Sequence, residues 1–336
     1  MKTALITGFT GQDGTFLTKL LLEKGYRVVG LVRRVSTEPP RRQRGSFDFS
    51  EALANGQLIL EDGDLQSTSS LNRIIGEYEP DEVYNLAWQS HVGLSFKTPE
   101  VSMKDYEGYV NLITAVEALG IETRVYQAST SEMFGDRTLQ VAISEETPLR
   151  PNSPYAIAKT AAHYYGIMKR KQGMFISNGI LFNHESEIRG GDFVTQKIAK
   201  GARKWAETGE PIRLGNLEAK RDWGYAGDYV EGMWRMLQAD EPDDFVLATG
   251  ETHTVRDFVY AAFKALDIEL VDVNRGRGIN EVLMANGKPA VVIDPEFYRP
   301  NEVGFLLGNP DKAKTQLGWK PKHNFESLVK LMVEAA

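Results

Sequence analysis

The sequence contains no cysteine and only five histidines among its 336 residues. Without cysteine, disulfide bonds and thiolate-bound zinc are excluded. No two histidines stand four residues apart, the spacing that places two ligands on one helix face. We therefore expect chemistry that uses neither a disulfide framework nor a metal ion.

A long hydrophobic run and a strongly basic segment are also missing. No apolar stretch reaches the roughly 18 residues of a membrane span, and the chain starts with a strand pattern rather than a secretory signal. The formal net charge of −7 gives no support for nucleic-acid binding. The densest basic run, at 41–44, could hold a phosphate or lie in a solvated loop. We expect a cytoplasmic enzyme without a membrane or nucleic-acid partner.

Strand and helix patterns alternate through the first half of the chain, beginning with strands over 3–7 and 27–32, which predicts an α/β fold with a Rossmann-type doubly wound parallel sheet. We expect residues 1–185, with a returning segment near 225–250, to form a first domain. Residues 186–336 would mainly form a smaller, mixed α/β lobe that is interleaved with the first. Within it, 219–224 is expected to be a polar loop, and the region after about residue 255 is expected to contain short helices. Ligands are expected at the carboxyl ends of the strands.

A glycine-rich turn follows the first predicted strand. Gly8, Gly11 and Gly14 have the G-x-x-G-x-x-G spacing and precede a helical pattern. Such glycines allow a tight turn and a close approach of the backbone to a pyrophosphate at the helix N-terminus. The pattern predicts dinucleotide binding, and its alternative is an ordinary tight strand-to-helix turn.

The residues after the second and third strands bear on the choice of dinucleotide. Arg33 and Arg34 stand where a carboxylate would bind the ribose of NAD, and they suit a 2′-phosphate instead, which predicts NADP. The same arginines could be solvated. Asp64 could accept a hydrogen bond from adenine, or cap the helix near Ser67.

The segment from 125 to 159 contains the candidate catalytic groups. A strand pattern over 125–128 runs into polar residues that include Thr130 and Glu132. A helix is then predicted from Pro154, with Ser153 as its N-cap. Tyr155 and Lys159 are four residues apart and share a face of that helix.

These four side chains suggest a proton-transfer device beside a nicotinamide. We expect Lys159 to lower the pKa of Tyr155, so that the phenolate can take a proton from a sugar hydroxyl while Thr130 shares the hydrogen bond. Glu132 would be a second acid/base, which water elimination requires and simple hydride transfer does not. The alternatives are a surface helix pair for Tyr155 and Lys159 and a solvated carboxylate for Glu132.

The chain resembles the extended short-chain dehydrogenase/reductases that modify nucleotide sugars, and most closely the GDP-mannose 4,6-dehydratase family. The resemblance covers nearly the whole length, and its later motifs are more specific than the glycine turn. The matching segments are 8–14, 33–34, 126–132, 153–156, 179–186, 214–217, 219–224, and Arg299-Pro300 with Glu302.

The resemblance implies a hydro-lyase reaction that converts GDP-mannose to GDP-4-keto-6-deoxymannose with tightly bound NADP. It implies that Tyr155 acts as the base at the C4 hydroxyl, assisted by Lys159 and Thr130, while hydride leaves C4. Glu132 would then remove the C5 proton and help water leave from C6, after which the hydride returns to C6.

The family's contacts can be placed on this sequence residue by residue. The resemblance implies cofactor contacts at Gly8, Thr10, Gly11, Gln12, Asp13, Arg33, Asp64, Leu65, Leu86, Ala87, Gln89, Ser90, Lys159, His184 and Arg189. It implies nucleotide-sugar contacts at Ser90, Glu132, Tyr155, Asn183, Lys197, Leu214, Gly215, Arg221, Arg299 and Glu302. Arginines suit a diphosphate, although Arg221 and Arg299 could instead pair with neighbouring carboxylates.

Three positions depart from the family pattern: Trp88 replaces a small residue, Glu187 replaces a proline, and Val101 replaces a polar residue. These departures leave GDP-manno-heptose as an alternative substrate. An NADP-dependent nucleotide-sugar 4-epimerase or 4-reductase, which needs only Tyr155 and Lys159, is an alternative enzyme, and a silent NADP-binding regulator is an alternative outside catalysis. The segment 33–44 resembles a loop that reaches a neighbouring subunit, which implies a homotetramer built from dimers.

Overall fold

The computed structural model describes residues 1–33, 47–136, 141–297 and 303–336. Its strands are β1 (Thr3–Thr7), β2 (Arg27–Val32), β3 (Leu58–Asp62), β4 (Glu82–Asn85), β5 (Arg124–Thr130), β6 (Ile176–Leu181), β7 (Asn183–Glu185), β8 (Ile212–Leu214), β9 (Lys220–Arg221), β10 (Trp223–Tyr225), β11 (Asp244–Leu247), β12 (His253–Thr254), β13 (Val271–Val273), β14 (Val282–Ala285) and β15 (Lys288–Ile293). Its helices are α1 (Gln12–Glu23), α2 (Ser50–Ala54), α3 (Thr68–Tyr78), α4 (Val92–Ser95), α5 (Pro99–Leu119), α6 (Pro154–Lys171), α7 (Val194–Thr208), α8 (Ala226–Met236), α9 (Val255–Lys264), α10 (Asp311–Leu317) and α11 (Phe325–Glu334).

Seven strands form one parallel sheet in the order β11-β6-β5-β4-β1-β2-β3. The chain builds this sheet outward from β1 in one direction and from β4 in the other. The prediction of a Rossmann-type doubly wound sheet is therefore confirmed. In such sheets a crevice opens beyond the carboxyl ends of the strands where the order reverses, here between β1 and β4.

Helices cover both faces of the parallel sheet and bury it. Helices α1 and α8 pack on one face through Phe16, Leu17, Tyr229 and Met233. Helices α3, α5 and α6 pack on the other. Because both faces are apolar, β1, β5 and β6 consist almost entirely of buried residues. Helix α8 and strand β11 come from the second half of the sequence but belong to the first lobe, since α8 packs on the parallel sheet and β11 pairs with β6.

The second half of the chain forms a mixed lobe around its own core. A four-stranded sheet has the order β13-β14-β15-β8, with antiparallel pairs and one parallel pair between β15 and β8. Helices α7, α9 and α11 pack on it. The expected mixed α/β lobe is therefore present, but the region after about residue 255, where short helices were expected, also contains the strands β13 to β15.

Two local predictions are corrected by the structure. The segment 219–224, predicted as a polar loop, contains β9 and β10 because Trp223 is buried and stacks on Phe325. Asp64 does not cap α3, since the Ser67 hydroxyl accepts the hydrogen bond from the Ser70 N–H at 3.3 Å. Among the described helices, none combines the length and the apolar character that crossing a membrane requires.

Candidate active site

Strand β5 and helix α6 hold the four candidate catalytic residues together. Thr130 ends β5, and Glu132 lies in the short 3-10 helix Ser131–Phe134 that follows. Helix α6 begins as predicted, with the Ser153 hydroxyl accepting a hydrogen bond from the Ala156 N–H at 3.1 Å.

The Lys159 side chain fastens α6 to β5. Its Nζ donates a hydrogen bond to the Ala128 carbonyl at 2.7 Å, two residues before Thr130. The predicted grouping of a strand end with a helix face is therefore present in the structure.

The phenol of Tyr155 lies within reach of Thr130 and of several charges. Burial raises the pKa of Tyr155 well above its usual value, while the hydrogen bond with Thr130 acts in the opposite direction. The charges of Glu132 and Asp105 raise the pKa further and that of Arg189 lowers it. The expected lowering of the Tyr155 pKa is therefore not found in the chain itself, because burial outweighs the neighbouring groups.

Lys159 is buried, with 4% of its surface exposed. Burial lowers the pKa of Lys159 to about 7, although the charges of Asp105 and Asp13 act to raise it. The ammonium lies 4.1 Å from the centre of the Trp88 ring and 5.9 Å from the centre of the Tyr155 ring. A lysine with a near-neutral pKa beside a buried phenol is an arrangement suited to proton transfer.

The glycine-rich turn packs directly on the loop after β4. Gly8 has φ of 68°, and a Cβ atom there would lie 2.7 Å from the Ala87 nitrogen. The Thr7 hydroxyl accepts hydrogen bonds from the N–H groups of Leu86 and Ala87 at 3.1 and 3.2 Å. Helix α1 begins at Gln12, directly after this turn, and no side chain caps its N-terminus. Only a residue without a side chain fits at Gly8, as an anion cradle at a helix N-terminus requires.

The first turn of α1 is tied to strand β7 by a polar network. The Gln12 amide donates to the His184 carbonyl at 3.1 Å, and its oxygen accepts from the Ser186 hydroxyl at 2.7 Å. His184 Nε2 contacts the Asp13 carboxylate at 2.9 Å, and His184 Nδ1 contacts the Phe182 carbonyl at 2.8 Å. A carbonyl and a carboxylate only accept, so both ring nitrogens donate and His184 is an imidazolium.

The pKa values agree with this charge state. Burial opposes both shifts, but the pair lowers the pKa of Asp13 to about 2 and raises the pKa of His184. The predicted cofactor residues Gln12, Asp13 and His184 thus form one connected unit at the edge of the crevice.

The loop after β4 contains buried polar atoms that make no hydrogen bond within the described residues. Its Gln89 N–H donates to the Asp105 carboxylate at 2.9 Å. Within the described residues, the buried atoms Trp88 Nε1 and Gln89 Oε1 have no hydrogen-bond partner. One donor and one acceptor beside Lys159 fit a polar ligand such as the ribose of a dinucleotide, so the residues present are compatible with the predicted cofactor.

Asp105 is a residue of this site that was not predicted from the sequence. It lies in the second turn of α5 and belongs to no motif, so no sequence signal marks it. Its carboxylate interacts electrostatically with the charges of Lys159 and Arg33. Burial raises the pKa of Asp105, and these two cations and the Gln89 hydrogen bond lower it.

The remaining predicted cofactor residues line the same edge. Arg33 follows β2 and is exposed, Asp64 and Leu65 follow β3, and those two strands are neighbours. Arg189 pairs with Glu185 at 3.1 Å and stacks on Phe193 at 3.5 Å. Thr10 and Ser90 lie in the turns after β1 and β4. Arg34 and the basic run at 41–44 lie outside the described residues.

Some of the predicted nucleotide-sugar residues gather in the second lobe. Lys197 of α7 stands 3.2 Å from the centre of the Phe297 ring, and a Cβ atom at Gly215 would lie 2.6 Å from the Phe297 carbonyl. Leu214 ends β8 beside them. A groove of about 370 Å³ adjoins this group and is lined by Lys197, Gly201, Lys204, Glu210, Pro211, Ile212, Arg213 and Phe297.

Other predicted substrate residues are placed separately. Asn183 begins β7, and Arg221 is buried in β9, where it donates to the Lys220 carbonyl. The carboxylate of Asp222 accepts hydrogen bonds from Thr249, Gly250 and Gly308. Arg299 and Glu302 lie outside the described residues. No cluster of potential metal ligands occurs in the described part of the chain.

Comparison with solved structures shows the fold. A UDP-glucose 4-epimerase from Thermus thermophilus in complex with NAD superposes with a TM-score of 0.80 at 23% identity, covering 99% of this chain and 98% of that one. A dTDP-glucose 4,6-dehydratase from Bacillus anthracis in complex with NAD gives 0.78 at 18% identity, covering 100% and 96%.

Comparison with sequences shows the family. The family model described as GDP-mannose 4,6 dehydratase matches residues 5–332. The chain is 47% identical to the human GDP-mannose 4,6 dehydratase, covering 99% of this chain and 90% of the relative. It is 44% identical to the Vibrio cholerae enzyme, covering 99% and 93%. The match over nearly all of both chains confirms the resemblance seen in the motifs, and the chain belongs to the GDP-mannose 4,6-dehydratase family.

Proposed function

We propose that the protein is a hydro-lyase that converts GDP-mannose to GDP-4-keto-6-deoxymannose. The observation that carries the proposal is the position of Glu132, which is close enough to the buried phenol of Tyr155 for its charge to raise the pKa of that phenol. A base and a second acid/base on neighbouring elements suit oxidation at C4 followed by water elimination across C5 and C6. Hydride transfer alone would not require the carboxylate.

Each catalytic side chain has a role that its surroundings support. The Tyr155 phenolate takes the proton of the C4 hydroxyl, while the Thr130 hydroxyl shares the hydrogen bond to the reacting oxygen. The Lys159 ammonium stabilises the phenolate. Glu132 removes the C5 proton and gives a proton to the departing C6 hydroxyl, which leaves as water. When bound, a nicotinamide would supply the acceptor for the C4 hydride and its donor to C6. The proton held by Tyr155 goes to C5 in that last step, which balances the reaction.

We propose NADP as that nicotinamide cofactor. The turn at Gly8 and Gly11, the N-terminus of α1, and the unpartnered polar atoms of Trp88 and Gln89 would hold it. Arg33, exposed after β2, suits its 2′-phosphate. In this arrangement the cofactor lies on the lobe built from 1–185 and the returning segment near 225–250, and the nucleotide sugar mainly on 186–336.

Incubation of the purified protein with GDP-mannose and no added cofactor tests the proposal. Mass spectrometry should show a product lighter by one water, because the hydride is returned within each turnover and bound NADP is not consumed. A parallel incubation with GDP-manno-heptose identifies the preferred sugar. No loss of water from either substrate would overturn the proposed dehydration.

We also propose a homotetramer built from dimers. Exposed apolar side chains recur on α6 at Ile157, Tyr164 and Met168, with exposed fractions of 49%, 55% and 43%. Leu94 and Met103, on α4 and α5, are exposed as well. This spacing places the three α6 residues on one helical stripe, which supports docking of a second copy. Light scattering of the Tyr164→Glu variant should give a smaller assembly than that of the original protein.

A further inference from the structure

The backbone on either side of Trp88 is fixed by hydrogen bonds. On one side, the Ala87 N–H donates to the Thr7 hydroxyl at 3.2 Å. On the other, the Gln89 N–H donates to the Asp105 carboxylate at 2.9 Å. The indole also packs against the apolar core under α3 and α5. The anchored backbone and this packing together fix the position of the indole.

The face of the indole is directed at the Lys159 ammonium. The distance from Nζ to the ring centre is 4.1 Å, within the range of a strong cation–π contact. The same Nζ makes a hydrogen bond to the Ala128 carbonyl. A buried ammonium has three donors to satisfy, so one carbonyl is insufficient and the negative face of the ring supplies part of the missing stabilisation.

We propose that Trp88 is a positioning residue for proton transfer, whose ring keeps the Lys159 ammonium charged and in place beside Tyr155. This inference rests on the proposed function, because it assigns a task to Trp88 in the same reaction. It also explains a departure from the family pattern in physical terms. A small residue at position 88 offers no π-face, so this chain stabilises its buried lysine by a contact that such a residue could not make.

The groups around Lys159 make its protonation sensitive to the contact with the Trp88 ring. Three titratable groups face the ammonium: Asp105 from α5, Asp13 from α1 and Tyr155 from its own helix. Burial lowers the pKa of Lys159 to about 7 against the attraction of the two carboxylates. Near neutral pH the charged and uncharged forms are therefore balanced, and losing one favourable contact changes their ratio strongly.

Two substitutions separate the ring's electrostatics from its volume. Trp88→Phe keeps a smaller π-face, whereas Trp88→Leu keeps an apolar side chain without one. Trp234→Leu is the matched control, because the Lys24 ammonium lies 3.5 Å from the Trp234 ring in a cation–π contact that does not involve Lys159. Far-ultraviolet circular dichroism and thermal unfolding establish that each variant is folded.

The first readout is the protonation of Lys159, followed by NMR titration of lysine labelled with ¹³C at Cε and assigned through Lys159→Met. We expect Trp88→Leu to shift the protonation equilibrium by about ten-fold toward the uncharged form. Trp88→Phe should shift it less, and Trp234→Leu not at all. An unchanged titration in folded Trp88→Leu overturns the inference.

The second readout is the pH profile of turnover. In Trp88→Leu the limb of the profile that follows Lys159 should move to lower pH by about one unit, because Lys159 loses its proton earlier. Trp88→Phe should move this limb by a smaller amount. A uniform fall in rate at every pH would indicate a packing effect only and would overturn the inference.

The two readouts keep this inference distinct from the proposed function. The titration does not require the protein to dehydrate a nucleotide sugar. Conversely, turnover of GDP-mannose by the original protein stands whether or not the Trp88 variants shift the titration.

Discussion

His184 Nε2 donates a hydrogen bond to the Asp13 carboxylate at 2.9 Å across 171 positions of sequence. The contact joins the first turn of α1 to β7, and the Phe182 carbonyl holds the other ring nitrogen. Two acceptors on one imidazole require the doubly protonated form. The edge of the crevice is therefore closed by an ion pair between the two halves of the sequence.

Replacing His184 by Gln should lower the free energy of unfolding by about 3 kcal/mol at pH 6, because a buried carboxylate loses its charged partner. The pKa of His184 is raised in the folded state despite burial, so its stabilisation is complete below the ordinary histidine pKa and is lost as pH rises through the raised value. Urea unfolding from pH 6 to pH 9 measures the difference. A His184→Gln deficit that stays constant with pH would contradict the assignment, and His253→Gln is the control from the second lobe.

Replacing Gly8 by Ala should weaken both the fold and cofactor binding. The new Cβ would lie 2.7 Å from the Ala87 nitrogen, and φ is 68°. Gly25→Ala is the matched control, since φ is 79° there but no atom lies within 4 Å of the new Cβ. We expect Gly25→Ala to cost about 1 kcal/mol and Gly8→Ala at least about 2 kcal/mol more. Equal melting temperatures for the two variants would show that the close approach does not constrain the turn.

Replacing Glu132 by Gln should abolish water elimination while leaving cofactor binding intact. The amide keeps the shape of the side chain but cannot accept the C5 proton, so formation of 4-keto-6-deoxy product should fall at least about 100-fold. Spectroscopic detection of reduced nicotinamide after substrate addition reports the C4 oxidation, which should persist. Full retention of product formation would favour a 4-epimerase or 4-reductase that uses Tyr155 and Lys159 alone.

Replacing Lys159 by Met should remove part of the pH dependence of stability. Burial lowers the pKa of Lys159 from 10.5 in the unfolded chain to about 7. Between these values the unfolded state binds more protons, so stability rises with pH across this window, by at most about 5 kcal/mol from this residue. Denaturant titrations from pH 7 to pH 10 should show a smaller rise in Lys159→Met than in the original protein. Parallel curves for the two proteins would disprove the lowered pKa, and Lys19→Met controls for an exposed lysine.

Replacing Arg33 by Ala should weaken binding of NADP about 10- to 100-fold and change binding of NAD little, because a 2′-phosphate loses a charged donor. Arg27, at the opposite end of the same strand, is the control position; its guanidinium lies 5.3 Å from the centre of the Tyr78 ring. Calorimetric titration with each cofactor measures the ratio. A parallel loss for NADP and NAD would show that Arg33 does not select the phosphate.

The local sequence pattern was sufficient to predict the first strands of the sheet and the start of α6. Buried parallel strands read as continuous apolar runs, so β1 and β2 were predicted with the bounds that the structure shows. Ser153 and Pro154 mark the start of α6 by capping chemistry, which places Tyr155 and Lys159 on one face. The short strands β9 and β10 could not be read in this way, because their pairing partners β12 and β7 lie far away in the chain.

By itself the sequence determined the doubly wound sheet, the family and the identities of the candidate catalytic residues, since these follow from periodicity, caps and motifs along the chain. Only the tertiary structure decided the charge state of His184, the near-neutral pKa of Lys159, the presence of Asp105 in the site and the contact of Trp88 with the ammonium. The reason is that burial and the distances between charges set these properties, and both depend on which distant segments the fold brings together.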